Sequence, residues 1–114
     1  MNDLRERTKQ FALQIIKMFT ALPKTAEAQV IGKQVLRSGT SVGANYREAY
    51  RSRSKAEFTA KMGDCLKELE ETAYWLELLV ESGIATGGQL DHIRKECDEL
   101  IAIFIASIKK SKYL

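Results

Sequence analysis

The sequence is poor in the residues that chemistry usually needs. Histidine occurs once, at His92, cysteine twice, at Cys65 and Cys97, and proline once, at Pro23. A tetrahedral metal site needs several converging Cys, His or carboxylate ligands, which one histidine and two cysteines do not furnish. A di-iron centre of the helical-bundle type draws Glu-x-x-His from each of two helices, and no Glu-x-x-His occurs here. There is no Gly-x-x-x-x-Gly-Lys-Ser/Thr loop to cradle phosphates. Long apolar runs are missing too: no uncharged stretch exceeds nine residues, Leu100 to Ile108 being one, where a bilayer span takes about 20. Charges at Asp3, Arg5, Glu6, Arg7 and Lys9 interrupt the apolar stretch a secretory signal would need, so the expected location is cytoplasmic. Nothing alternates with the period of two that marks a strand.

One motif does invite a catalytic reading. Gly39-Thr40-Ser41-Val42-Gly43 spells the G-x-S-x-G nucleophile elbow. That elbow works only where a strand turns into a helix, with a histidine base and an acid to hand. The sequence offers no strand, and His92, among Asp91, Arg94 and Lys95, reads as a solvated helix face. Small residues four apart more simply let two helices approach closely. No catalytic residue, cofactor or metal is expected.

What is present is helical periodicity. At 114 residues, 45% hydrophobic and 29% charged, the chain fits one globular domain over 1–114 with one core. Leu4, Phe11, Ile15, Phe19 and Leu22 line one side of a first helix that ends at Pro23. A second, from about Thr25 to Arg53, carries Ile31, Val35, Val42 and Ala49, and Gly32, Gly39 and Gly43 predict that it bends or frays in its middle. Ser54 with Glu57 three residues later makes a capping-box pattern for a third helix, striped by Phe58, Met62, Cys65, Leu66, Leu69, Ala73, Leu76 and Val80 and stopping at Ser82 or Gly83. After Thr86, Gly87 and Gly88 a fourth stripe runs from Leu90 through Ile93, Cys97, Leu100, Ile101 and Phe104 to Ile108. Short turns between four amphipathic helices predict an all-α, antiparallel up-down-up-down four-helix bundle. In that arrangement Cys65 and Cys97 sit roughly 13 Å apart along the axis, too far for a disulfide, so both are read as reduced core residues.

Two surface features point to function. Trp75, Leu78, Leu79, Ile103 and Ile105 lie off the core stripes, and self-association would bury them. Charge is also polarised. Arg47, Arg51, Arg53, Lys55 and Lys61 outweigh Glu48 and Glu57 to leave a local +3, and Lys109, Lys110 and Lys112 form a basic tail. Asp64, Glu68, Glu70, Glu71, Glu77 and Glu81 face only Lys67, a local −5. A basic end repeated around a ring makes a positive collar of the kind that attracts nucleic-acid phosphates. Tyr46 and Tyr50 beside these arginines either stack on bases or pack in the bundle. Glu68 and Glu71 are either a buried polar layer beside Trp75 or a solvated acidic edge.

The run Arg37-Ser38-Gly39-Thr40-Ser41-Val42-Gly43-Ala44-Asn45-Tyr46-Arg47-Glu48-Ala49 and the later Tyr74-Trp75-Leu76-Glu77-Leu78-Leu79 closely resemble the bacterial four-helix-bundle proteins associated with 23S ribosomal RNA intervening sequences. Many members have proline where this chain has Gly43. The resemblance covers nearly the whole chain and implies an up-down bundle assembled as a ring, a homopentamer. It is similar in architecture to the accessory proteins of diversity-generating retroelements, which form pentameric barrels and bind nucleic acid. Asn45 and Glu48 match the family's second-helix motif, and Asn45 is expected to hydrogen-bond between helices. The functional expectation is a non-enzymatic oligomer, free of membranes, that binds structured RNA or DNA through Arg47, Arg51, Arg53, Lys55 and Lys61, with Lys109, Lys110 and Lys112 as a further candidate contact. The alternative is an adaptor that recruits a partner protein through the acidic third-helix face.

Overall fold

The computed structural model describes residues 3–112. It contains four helices, α1 (Leu4–Thr20), α2 (Ala26–Tyr50), α3 (Lys55–Glu81) and α4 (Gly87–Lys112), and no strand among the described residues. The particle measures 47 × 21 × 19 Å. Each helix packs on its neighbours in sequence, and α1 also touches α4, more lightly.

Local chemistry sets the boundaries. Asp3 caps α1 by accepting from the Arg5 amide at 3.0 Å, Thr25 caps α2 through the Ala28 amide, and Ser54 caps α3 through the Glu57 amide at 3.0 Å. The second helix stops at Tyr50, three residues before the expected end, because Arg51 to Ser54 form the link into the next cap. Gly83, with φ of +81°, turns the chain after α3 in a conformation that a side chain would strain. The fourth helix starts earlier than its apolar stripe. Thr86 and Gln89 cap it reciprocally, the Gln89 amide donating to Thr86 Oγ1 at 3.1 Å and the Thr86 amide to Gln89 Oε1 at 2.8 Å. That capping box draws Gly87 and Gly88 into the first turn.

Buried positions recur at alternating spacings of three and four. On α1 they are Thr8, Phe11, Ile15 and Met18, and on α3 Met62, Cys65, Leu69, Thr72, Leu76 and Leu79. This repeat keeps one seam of each helix turned inward along its length. Polar members hide it in the sequence: Thr72 is fully buried, its hydroxyl 2.7 Å from that of Ser38 and 2.7 Å from the Glu68 carbonyl. The core face of α3 is therefore rotated from the expected stripe, with Ala73 and Val80 at its edge and Leu79 inside. Leu79 is 0% exposed, so it is a core residue and not part of the surplus apolar surface.

The expected bend of the second helix is absent, and α2 runs unbroken past all three glycines. Their cost in helix propensity, about 1 kcal/mol each, is offset by contact with α1. A Cβ on Gly39 would stand 2.8 Å from Ile15 Cγ1, one on Gly32 2.8 Å from Leu22 Cδ1, and one on Gly43 3.3 Å from Thr8 Oγ1. The glycines are the surface on which α1 lies. Cys65 and Cys97 are free and buried, their thiols directed at the Val42 and Leu69 carbonyls. Burial pushes both up from 9.0 to about 12, helped by the carboxylates of Asp64 and Asp98 respectively.

Candidate nucleic-acid interface

The fold brings together basic segments that are far apart in sequence. At the start of α1, the Arg5 guanidinium lies 4.5 Å from the centre of the Tyr50 ring, at the end of α2. The four-residue link carries Arg51 and Arg53 into Lys55 at the start of α3. Thr59, in the first turns of α3, sits with its hydroxyl 2.8 Å from that of Ser111, in the last turn of α4. Arg5, Arg47, Arg51, Arg53, Lys55, Lys109, Lys110 and Lys112 thus share one end, and all are exposed. Apart from a 3.8 Å approach of Arg5 to Asp3, none of them pairs with a carboxylate among the described residues.

Part of this charge has a local rationale. Arg47 lies in the last turn of α2 and Lys109, Lys110 and Lys112 in that of α4, where cations favour the negative end of the helix dipole. That accounts for their placement on helices but leaves their outward charge unneutralised.

Two residues of the expected set behave differently. Lys61 is held by Glu48, its ammonium 2.7 Å from Oε1, and the pairing raises its pKa. It contributes less free charge than Arg47 or Lys55. Tyr46 is half-buried, packed edge-on against Phe104 at 5.9 Å, and burial raises its pKa. Tyr50 is 59% exposed. Of the two readings for the tyrosines, packing suits Tyr46 and an accessible ring suits Tyr50. Arg5 joins the cationic end only through folding, since nothing in its local sequence distinguishes it from its charged neighbours.

Away from this end, arginines tie helices together. Arg7 forks onto Glu96 at 2.7 and 2.8 Å and reaches Glu99 at 2.7 Å, joining α1 to α4 where packing is lightest. These bonds raise its pKa, Glu96 contributing most. Arg37 on α2 grips Glu68 at 3.3 Å and also Glu71 on α3. Glu68 and Glu71 are therefore neither a buried layer nor a simply solvated edge: they are half-buried and paired. Asn45 is half-buried within α2.

The elbow-like Ser41 is inside α2, with its hydroxyl donating to the Arg37 carbonyl at 2.6 Å. His92 is exposed, its Nε2 3.4 Å from Gln14 Nε2. Among the described residues no group of three or more His, Cys, Asp or Glu is placed to hold a metal ion, and no helix is long and apolar enough to cross a membrane. Trp75, Leu78, Ile103 and Ile105 are half-buried, with Tyr74 52% exposed beside Trp75.

These features define an all-helical protein whose most marked surface is a cationic end. The chain belongs to the 23S rRNA-intervening sequence protein family, whose profile matches residues 2–106. It is similar to a protein of unknown function from the S23 ribosomal protein family of Bacteroides thetaiotaomicron, known from a crystal structure. The two are 38% identical with a TM-score of 0.88, over 94% of this chain and 99% of that one. No curated protein matches.

Proposed function

We propose that this chain is a non-enzymatic, cytoplasmic protein that binds structured RNA through its cationic end. The observation that carries the reading is the meeting of the Arg47 to Lys55 segment with Lys109, Lys110 and Lys112 at one end, all exposed. Close-set cations displace the counterions condensed on phosphates, which gives affinity without any sequence-specific pocket. RNA is chosen over DNA because the family and its crystallised neighbour both carry ribosomal descriptions. The four helices run up-down-up-down. Contacts between Glu48 and Lys61, Val42 and Cys65, and Ser38 and Thr72 support this, because they climb one helix as they descend the next.

The protein assembles as a ring, a homopentamer, over the half-buried Trp75, Leu78, Ile103 and Ile105, which multiplies the basic end. Native mass spectrometry at five times the chain mass is the expected result, and a monomer at micromolar concentration would remove the ring. For binding, anisotropy of a labelled RNA hairpin at about 50 and 200 mM salt should show affinity falling steeply, since each phosphate contact releases counterions. An Arg47/Arg51/Arg53 triple alanine variant should lose most of that affinity. No binding at either salt sinks the reading.

A second reading, an adaptor for a partner protein, draws support from exposed Tyr74 between exposed Glu70 and Glu77. It requires a pull-down that resists nuclease and is lost in Tyr74→Ala.

A further inference from the structure

We infer that the cationic end captures an unpaired nucleobase on Tyr50, so that its RNA ligand is recognised at a single-stranded loop or bulge and not along a duplex. This rests on the RNA-binding reading above and adds to it the part of the RNA that is bound.

The argument begins with the ring itself. Tyr50 is the last residue of α2 and is 59% exposed, although its neighbour one turn back, Tyr46, is packed against Phe104. The two rings are 6.5 Å apart and inclined at 52°, so Tyr46 borders Tyr50 without covering it. The Arg5 guanidinium sits over Tyr50 at 4.5 Å. A cation over an aromatic face is attracted by the ring's quadrupole and holds its orientation. Arg5 is itself steadied by its own helix, where Asp3 accepts from its amide and approaches its guanidinium at 3.8 Å. Tyr50 is thereby an oriented ring with Arg5 over one face, on a residue 59% exposed, and exposed Arg47, Arg51, Arg53 and Lys55 lie close to it in sequence.

An exposed ring amid phosphate-binding cations suits stacking and little else. Bases within an A-form duplex are already stacked, and its deep, narrow groove does not admit a side chain. An unpaired base has both faces free, and every base has one to offer, so the contact tolerates sequence while selecting for single-strandedness. The arginines bind the flanking phosphates, and Tyr50 decides which part of the RNA they bind beside. The tyrosine hydroxyl has no role in this scheme.

The test compares a labelled RNA hairpin bearing an unpaired loop with a blunt RNA duplex of equal nucleotide count, by anisotropy at one salt concentration. The hairpin should bind the wild-type protein several-fold more tightly. Tyr50→Leu should weaken hairpin binding about 5- to 100-fold, the range for loss of one stacked base, while leaving duplex binding unchanged. Tyr50→Phe and Tyr50→Trp should keep the preference. Circular dichroism of each variant should match the wild type, because the ring lies outside the core. Equal binding of hairpin and duplex, or a hairpin affinity untouched by Tyr50→Leu, overturns this inference while leaving RNA binding intact. Loss of both ligands in the Arg47/Arg51/Arg53 variant alone, with Tyr50→Leu silent, overturns it in the same way. Failure of the wild type to bind either RNA overturns the inference together with the reading beneath it.

Discussion

Adding one methyl group to Gly39 should destabilise the protein, although glycine is a poor helix former and Gly39 lies in the middle of a 25-residue helix. On propensity alone, Gly→Ala in a helix interior gains about 1 kcal/mol. The new carbon, however, would lie 2.8, 3.1 and 3.2 Å from Ile15 Cγ1, Cγ2 and Cδ1, where carbon pairs prefer about 3.5–4.0 Å. Ile15 is 0% exposed, and β-branching leaves it essentially one χ1 rotamer in a helix, so it has nowhere to turn. Relief demands that α1 move away or that Ile15 leave its rotamer, at about 1–3 kcal/mol. The net expectation is a loss near 1 kcal/mol, or roughly 4 °C in melting temperature for a chain of this length. Gly63, on α3, has nothing within 4 Å of its missing Cβ, so Gly63→Ala should stabilise by about 0.5–1 kcal/mol. Both effects are read from urea and thermal unfolding at one protein concentration, since association shifts apparent stability. Ile15→Ala combined with Gly39→Ala should cost less than the two changes summed, because the first opens the space the second fills. If Gly39→Ala stabilises as much as Gly63→Ala, the close approach of α1 to α2 is not what keeps glycine there.

Arg7→Met should cost about 1–2 kcal/mol, between the values for surface and buried ion pairs, because it strands a half-buried Glu96; chemical denaturation would measure it, and an unchanged midpoint would assign the fork no structural weight. The two thiols, held up to about 12 by burial, should ignore a thiol reagent at about pH 8 in the native protein and both react once denatured. Because their folded pKa values lie above the unfolded one, their contribution to stability is intact below pH 9.0 and is lost as pH rises from 9.0 towards about 12. Denaturation midpoints across that window should fall less steeply in a Cys65→Ala/Cys97→Ala variant. Ser54→Ala, which removes the cap of α3, should lower stability by about 1 kcal/mol.

Helix number and approximate boundaries were legible because apolar residues recur at helical spacing and because Pro23, Ser54 and Gly83 punctuate the chain. The continuity of α2 was not. Helix propensity scores Gly32, Gly39 and Gly43 as weaknesses, and only the packing of α1 reveals them as contact surface. The core face of α3 is rotated by a fraction of a turn from the apolar stripe, since Thr72 belongs to the core and Ala73 to its edge, the reverse of their hydrophobicity. Of the charged surface, the basic segment around Arg51 was plain from local composition. Its union with Lys109 and Lys110, the addition of Arg5 and the neutralisation of Lys61 by Glu48 depend on contacts between residues distant in sequence. The same holds for Glu68 and Glu71, whose partner Arg37 lies on a different helix.

The most direct test of an RNA-binding end is to alter its two halves separately and compare them with a control. Hairpin affinity would be followed across a salt series for Arg47/Arg51/Arg53 triple alanine, for Lys109/Lys110/Lys112 triple alanine, and for Lys17/Lys24/Lys33 triple alanine, whose lysines are exposed near the α1–α2 connection. The first two variants should each weaken binding and flatten the slope of log affinity against log salt by roughly 0.7–0.9 for each phosphate no longer neutralised, and the third should leave both unchanged. Equal weakening by all three variants, or none by the lysine variant of α4, would contradict a single RNA-binding surface at that end.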